Sequence, residues 1–108
     1  MKLSELKTKL CARELYMPDP EREAGGGYCG DFLSFVMQRA PENSVWFTVM
    51  TNVNVAAVAS LTGVAAVVVC ESSKCDAQLV ERIKKTEVAL FETDLDIFGA
   101  VKAFLGVE

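Results

Sequence analysis

The longest uncharged stretch of the chain lies between Glu42 and Glu71. It begins with an apolar run at 45–50, which a polar break at 51–54 separates from a run of small apolar residues at 55–61. Gly63 and a β-branched run at 65–70 follow. The first and last runs do not alternate strictly, which is typical of strands covered on both faces in a parallel sheet. Asn52 or Asn54 can cap the helix between them, and Gly63 can end it. The window therefore predicts a strand, a helix and a second strand.

Shorter patterns predict the remaining elements. Before the window they predict a helix at 3–10, a strand at 12–17, a glycine-rich loop at 25–30 and a helix at 32–39. After the window they predict a helix at 79–85, a strand at 88–91 and a helix at 95–105. Thr93 and Asp96 have the spacing of a capping box for the last helix, which Gly106 ends. We expect its inward face to contain Leu95, Phe98, Val101, Phe104 and Leu105.

Alternating strands and helices predict an α/β fold with a single, mostly parallel β-sheet flanked by helices. The length of 108 residues fits one domain, 1–108. The uncharged window is long enough for a membrane span, but polar residues interrupt it and its flanks are acidic, so we expect no membrane insertion.

Charge and composition exclude several classes of function. Eleven basic residues against 15 acidic ones give a net charge of −4, and the longest basic cluster is Arg82, Lys84 and Lys85, so we expect no nucleic-acid partner. The polar N-terminus predicts no signal peptide and a cytoplasmic location. Four scattered cysteines without any histidine predict reduced thiols rather than a metal site, and no cofactor is expected.

The segment 24–31 has the most unusual composition, with four glycines in the six positions 25–30. Asp31 ends the segment and can cap the next helix. A glycine-rich turn before a helix can hold an anion on its backbone N–H groups, although Asp31 would repel a phosphate there. The alternative is a tight connection whose glycines allow close packing. Neither the P-loop pattern nor GxGxxG is present.

A candidate ligand site combines this segment with the polar break, because both precede helices and can meet at the carboxyl edge of the sheet. Its residues are Gly25, Gly26, Gly27, Tyr28, Gly30, Asp31, Thr51, Asn52 and Asn54. The alternative role of the last three is as turn and cap residues.

Two predicted helices lack a charged face. The helix at 55–61 contains only Val, Ala, Leu and Ser, and the helix at 32–39 has three polar positions. Either other helices of the chain cover them, or they meet a second copy, which we favour for so short a chain. The predicted interface residues are Phe32, Phe35, Val55, Val58 and Leu61.

The segments 26–37 and 45–59 resemble the DRTGG domain family, most closely its small stand-alone members from anaerobic bacteria. The likeness extends over nearly the whole chain. It implies a fold similar to the N-terminal domain of HPr kinase/phosphorylase and to the N-terminal domains of Mur ligases. The chain departs from the signature Asp-Arg-Thr-Gly-Gly, since residues 22–27 keep the glycines without an Asp or Thr in register.

The resemblance implies a regulatory or dimerising module, because such domains occur fused to phosphotransacetylases and CBS-containing pyrophosphatases, and the HPr kinase P-loop belongs to a separate domain. Our leading hypothesis is a non-catalytic regulatory module that forms a homodimer and binds a partner protein. The alternative is a sensor for an adenine nucleotide or another anion. A thiol enzyme using Cys29 is the weakest hypothesis, because no general base is identifiable and Asp31 opposes thiolate formation.

Overall fold

The computed structural model describes residues 1–107. A short 3₁₀ turn, Leu3–Glu5, precedes the first helix. The helices are α1 Leu6–Lys9, α2 Leu33–Arg39, α3 Asn54–Thr62, α4 Ala77–Ile83 and α5 Ile97–Leu105. The strands are β1 Ala12–Tyr16, β2 Gly27–Cys29, β3 Val45–Thr48, β4 Ala66–Val69 and β5 Ala89–Thr93. In this part of the chain, none of the helices combines the length and the hydropathy needed to cross a membrane.

All five strands form one sheet in the order β1-β5-β4-β3-β2. Strands β2, β3, β4 and β5 are parallel, and β1 is antiparallel to β5 at one edge. Helices α2, α3 and α4 each connect two neighbouring parallel strands, and right-handed crossovers place all three on the same face. The predicted α/β fold with a single, mostly parallel sheet is confirmed.

The sheet is covered on both faces, which is why its central strands are apolar throughout. Successive strand residues point to opposite sides. Trp46, Val67 and Leu90 pack under α2, α3 and α4, whereas Phe47 and Phe91 pack with α1 and α5 on the other side. The absence of alternation in the sequence therefore has the expected cause.

The predicted glycine loop contains a strand that sequence patterns missed. Gly27–Cys29 pairs in parallel with Val45, Trp46 and Phe47 and forms an edge of the sheet. Glycine has low strand propensity, so a three-residue strand that starts with one gives little signal. A Cβ atom at Gly27 would lie 3.3 Å from the Phe47 ring and from the carbonyl oxygen of Val45. The glycine thus permits the close packing that was the alternative interpretation of this segment.

Helix ends agree with the sequence predictions at the two glycines and differ at the three predicted caps. Gly63 and Gly106 have φ of 75° and end α3 and α5. The N-cap of α3 is Val53, which has no side-chain bond, although Oδ1 of the preceding Asn52 accepts the N–H of Asn54 at 2.9 Å. Nor does Asp31 cap α2, whose N-cap Phe32 has no side-chain bond. The capping box at α5 is also wrong, because Asp96 is itself the N-cap.

Thr93, which was predicted to cap α5, makes a long-range hydrogen bond instead, and Asp96 makes the local cap bond. The hydroxyl of Thr93 donates to the carbonyl oxygen of Leu10 at 2.7 Å and joins β5 to the end of α1. Asp96 Oδ1 accepts the N–H of Gly99 at 2.6 Å. Thr93 is fully buried, so its hydroxyl needs a partner within the protein, and a distant carbonyl provides it.

Candidate functional site

α/β proteins commonly bind ligands at the carboxyl edge of the sheet, and some of the predicted site residues lie there. Asp31 follows β2 here, and its Oδ1 atom accepts the hydroxyl of Thr48 at 2.6 Å and the N–H of Val49 at 2.9 Å. Next to it, the carbonyl oxygen of Gly30 accepts the indole N–H of Trp46 at 2.9 Å. These bonds fasten the end of β2 to β3. Asp31 is therefore a structural bridge between two strands.

The polar break after β3 reaches the same edge, and its groups also bond within the protein. The carbonyl oxygen of Thr51 accepts the N–H of Asp76 at 3.0 Å, which ties this loop to the start of α4. Asn52 holds the first turn of α3 through Asn54, as described above. Thr51 and Asn52 are half-buried and Asn54 is exposed. Residues 30–31 and 51–54 thus lie at the same edge of the sheet, where their hydrogen bonds stabilise the loops.

The first three glycines lie at the opposite, amino edge. Gly25 donates its N–H to the carbonyl oxygen of Asn43 at 2.9 Å, and the carbonyl oxygen of Gly26 accepts the N–H of Val45 at 3.0 Å. Three strand residues separate this edge from the carboxyl edge, a distance of about 10 Å. The nine predicted ligand residues therefore form two groups at the two ends of β2. Tyr28 lies between them, half-buried in β2.

Arg22 organises the amino edge around those glycines. Its guanidinium donates to Asn43 Oδ1 at 3.0 Å, to the carbonyl oxygen of Glu87 at 3.1 Å and to that of Gly63 at 3.4 Å. Three segments distant in sequence are joined by one side chain. No local sequence pattern identifies such a contact, which explains why this residue was not predicted.

Acidic side chains dominate the carboxyl edge. They follow the ends of the parallel strands or lie on β5: Asp31, Glu71, Asp76, Glu92, Asp94 and Asp96. Arg13 and Lys74 are the cations beside them. Because so many carboxylates surround this edge, the local potential disfavours an anion such as a nucleotide phosphate.

Glu92 is the buried member of this acidic group. Burial alone would raise its pKa, but the N–H of Cys75 at 2.7 Å and the guanidinium of Arg13 at 3.3 Å outweigh burial and hold the pKa below its ordinary value. The hydroxyl of Ser72 and the nearby Arg13 likewise lower the pKa of Asp94. Both carboxylates are thus ionised at neutral pH and serve to join β5, β1 and the loop after β4.

Three of the four cysteines have pKa values above the ordinary thiol value. Burial, and then the charge of Asp31, raise the pKa of Cys29. Burial raises the pKa of Cys70 and of Cys75 to about 12, with neighbouring carboxylates adding to it. All three are therefore thiols at neutral pH, the less reactive form. Within residues 1–107, no group of three or more His, Cys, Asp or Glu side chains has a geometry that suits a metal ion.

The predicted interface residues divide into exposed and buried positions. Val55 is fully buried and Val58 is 4% exposed, because both pack α3 against the sheet. They are not available to a partner, which corrects the prediction for these two. Leu61, Phe32 and Phe35 are 72%, 61% and 44% exposed.

Phe32, Phe35 and Arg39 form a small exposed cluster on α2, which we call the α2 patch. The two rings meet edge to face with centroids 4.9 Å apart. The guanidinium of Arg39 lies 4.0 Å from the centroid of the Phe35 ring, a cation–π contact. Aromatic side chains with arginine are enriched among the residues that dominate protein–protein binding.

A second exposed apolar surface lies on α5, where the sequence predicted inward-facing residues. Phe98 is 80% exposed and Leu105 is 65% exposed, which contradicts that prediction. Together with Val101 and the following Val107 they form what we call the α5 patch, around a shallow hollow of about 370 Å³ with Lys102 at its side. The buried face of α5 is instead formed by Ala100 and Phe104.

Comparison with known proteins identifies a fold but no family. No protein-family model matches the sequence, and no curated protein matches it either. Among solved structures, the chain is similar to the CBS and DRTGG domains of the regulatory region of Clostridium perfringens pyrophosphatase, complexed with the activator diadenosine tetraphosphate. The TM-score is 0.81 at 13% sequence identity, and the likeness covers 96% of this chain and 46% of that one.

That similarity supports the DRTGG-like fold that the sequence resemblance implied. The chain spans about half the length of the pyrophosphatase regulatory region. At this low identity the likeness shows the fold alone, so the residues of this chain must carry any argument about function.

Proposed function

We propose that the chain is a non-catalytic regulatory and assembly module that forms a homodimer and binds a partner protein. The observation that carries this proposal is the placement of exposed apolar side chains on both helical layers, with Phe98 80% and Phe32 61% exposed. Exposed apolar groups of this kind mark interaction surfaces. The carboxyl edge, in contrast, is closed by hydrogen bonds of its own. Similarity to the regulatory region of a pyrophosphatase supports a regulatory role.

The α5 patch suits a second copy of the chain. Phe98, Val101 and Leu105 follow one another at i, i+3 and i+7, so they form one stripe along α5, with the charged Lys102 at its side. Two identical stripes related by a two-fold axis can pack against each other, because an isologous contact needs only one self-complementary surface. The homodimer is therefore proposed to form through α5.

The α2 patch suits a different protein. It lies in the layer on the opposite face of the sheet, so it stays accessible when two copies meet through α5. An aromatic pair with a stacked arginine is more polar than the α5 stripe and typical of interfaces that form and dissociate. A module with one surface for assembly and another for a partner can transmit the state of one protein to another.

The solution mass of the protein, measured by light scattering over a wide concentration range, tests this proposal. We expect twice the monomer mass for the wild type and for Phe35→Ser. The double variant Phe98→Ser with Leu105→Ser should have the monomer mass while keeping its circular dichroism spectrum. A monomer mass for the wild type at every concentration would refute the proposed dimer.

A nucleotide sensor remains the second proposed function, and one observation favours it. The similar pyrophosphatase region is complexed with diadenosine tetraphosphate, a nucleotide activator. An amide NMR titration with AMP, ADP, ATP and diadenosine tetraphosphate tests this function. Shifts at residues 30–31 and 51–54 would locate the site at the carboxyl edge despite its negative charge. Unchanged spectra at millimolar nucleotide would exclude the sensor and leave the assembly module.

A further inference from the structure

Arg82 and Lys85 stand beside a groove between α3 and α4 that none of the functions above uses. On one side of them lies a hollow of about 340 Å³, lined by Ala57, Ser60 and Leu61 of α3. On the other side, the same two cations line a second hollow of about 320 Å³ with residues from the starts of α3 and α4. The two hollows and these cations form what we call the α3–α4 groove.

The cations of this groove have no acidic partner. In the described part of the chain, every ion pair involves the N-terminus, Lys2 or Arg13, and none involves Arg82 or Lys85. Glu81 lines the second hollow beside them but makes no ion pair with either. In a chain with a net charge of −4, this groove is a local site of positive charge. It is therefore complementary to a negatively charged partner.

The apolar side of the groove indicates what kind of negative partner fits. Leu61 is 72% exposed at one end, and Ala57 and Ser60 are small enough to let another backbone come close. A nucleotide phosphate gains most from several free backbone N–H groups, and the first hollow, lined by the later parts of α3 and α4, offers none because these groups bond within each helix. A second helix, in contrast, packs readily between the ridges of α3 and α4.

The length of the groove agrees with a helical partner. From Val53 to Leu61 it extends over eight helical steps, or about 12 Å, which corresponds to roughly two turns of a docked helix. Arg82 and Lys85 are three positions apart in sequence. Acidic residues three or four positions apart on the docked helix can reach both cations.

We propose that the α3–α4 groove binds an acidic amphipathic helix of a partner protein, with its apolar stripe on Ala57 and Leu61 and its carboxylates at Arg82 and Lys85. This inference rests on the proposed function, because it names the chemistry of the partner. It also places the partner on the same helical layer as the α2 patch, away from the proposed dimer contact on α5.

Two synthetic helical peptides of about 14 residues, a length at which isolated helices begin to be stable, test the proposal. Both have leucines at helical spacing, and the flanking positions are all glutamate in one peptide and all lysine in the other. An amide NMR titration of the whole chain should show shifts at residues 53–61 and 78–86 with the glutamate peptide. Binding should weaken at high salt, since exposed charges are screened. The lysine peptide should cause no shifts there.

A charge-reversed variant with matched controls isolates the role of the cations. In the double variant Arg82→Glu with Lys85→Glu, affinity for the glutamate peptide should fall by more than about tenfold, and the lysine peptide should now bind, because like charges disfavour association. Lys7→Glu with Lys9→Glu makes the same change of charge on α1 and should leave binding unchanged. Both cation pairs are exposed, and the milder Arg82→Gln with Lys85→Gln repeats the test if the reversal disturbs folding.

Three results would overturn the inference. The first is the absence of groove shifts with the glutamate peptide, and the second is equal binding of both peptides. The third is shifts in the groove that grow with protein concentration alone, which would make the groove a contact between copies. A dimer mass together with either of the first two results would leave the proposed α5 dimer intact, whereas the third result with a dimer mass would move the dimer contact to the groove, so the failure of this inference and the failure of the dimer are distinguishable.

Discussion

Helices α3 and α5 have the same length of nine residues and largely apolar sequences, yet they present different surfaces. α3 buries Val55 and Val58 and exposes Ala57, Ser60 and Leu61. α5 buries Phe104 and the small Ala100 while exposing Phe98 and Leu105. The apolar content of a helix alone does not show which of its apolar residues are exposed. The position of each apolar residue around the helix axis decides it.

The two helices differ because α5 has two apolar stripes and α3 has one. In α5, residues Ile97, Ala100 and Phe104 are spaced i, i+3 and i+7, and so are Phe98, Val101 and Leu105. The stripes are offset by one residue, or 100° around the axis, so only one of them can face the sheet. In α3 the residues opposite the sheet are small or polar, apart from Leu61. α5 therefore has a complete apolar stripe left exposed, whereas α3 exposes one large apolar side chain, Leu61.

The largest effect should come from placing a charge on the buried side of α3. Val58→Asp puts a carboxylate into the buried apolar cluster between α3 and the sheet, and we expect the free energy of unfolding to fall by more than about 4 kcal/mol. Urea unfolding followed by circular dichroism measures it. Leu61→Asp is the matched control on the exposed side of the same helix, and its effect should stay within about 0.5 kcal/mol. Comparable losses in both variants would contradict the orientation of α3.

In α5 the equivalent comparison uses two phenylalanines. Phe104 packs edge to face on Phe47, with centroids 5.5 Å apart, whereas Phe98 contacts solvent. Phe104→Ala should lower the free energy of unfolding by about 3–5 kcal/mol, and Phe98→Ala by less than about 0.5 kcal/mol. Urea midpoints measured at the lowest practical protein concentration give both values, since a dimer would add stability that depends on concentration. A larger loss for Phe98→Ala would reverse the assignment of the two stripes.

The sequence predicts those parts of the fold that depend on local interactions. The apolar runs at 45–50 and 65–70 contain β3 and β4, because a strand buried on both faces needs a continuous apolar sequence. Gly63 and Gly106 end their helices as predicted, since a left-handed backbone favours glycine whatever its tertiary surroundings. β2 was missed because its position depends on pairing with β3 and not on the residues it contains.

The candidate site was less predictable because its polar residues act over long distances in sequence. Asp31 precedes a helix and fits the pattern of a cap, but its carboxylate instead accepts a hydrogen bond from the hydroxyl of Thr48, 17 residues away in sequence. Gly25 and Asp31 are close in sequence, yet β2 places them at opposite edges of the sheet. Local patterns identified the unusual segment correctly, and only the sheet topology shows that it does not form one continuous site.

The start of each helix allows a smaller test. Asp96 is the N-cap of α5 and accepts the N–H of Gly99, and its charge also complements the helix dipole. Asp96→Ala should lower the free energy of unfolding by about 1–2 kcal/mol. At α3, Asn52→Ala removes a neutral acceptor and should cost about 0.5–1 kcal/mol. Thermal unfolding of the two variants measures both, and equal losses would show that the charge of Asp96 contributes nothing.

The ends of the two helices give the smallest expected difference. Gly63 and Gly106 share φ of 75°, so alanine at either position is strained by a similar amount, about 1 kcal/mol. Alanine also lowers the conformational entropy of the unfolded chain, which offsets this strain by about 0.4–1 kcal/mol. A Cβ atom at Gly63 would lie 3.1 Å from Cγ of Glu42, but at Gly106 the nearest atom is Nζ of Lys9 at 3.9 Å.

Gly63→Ala should therefore destabilise the protein by about 0.5 kcal/mol more than Gly106→Ala does, since the Glu42 side chain must shift to avoid the new methyl group. The double variant Gly63→Ala with Glu42→Ala removes that contact and should bring the two glycine positions to the same cost. A persistent difference in the double variant would place its origin in the backbone, where the carbonyl oxygen of Gly63 accepts the N–H of Asn43 at 2.8 Å. The end of α3 would then depend on the amino-edge connections around Arg22, which the end of α5 lacks.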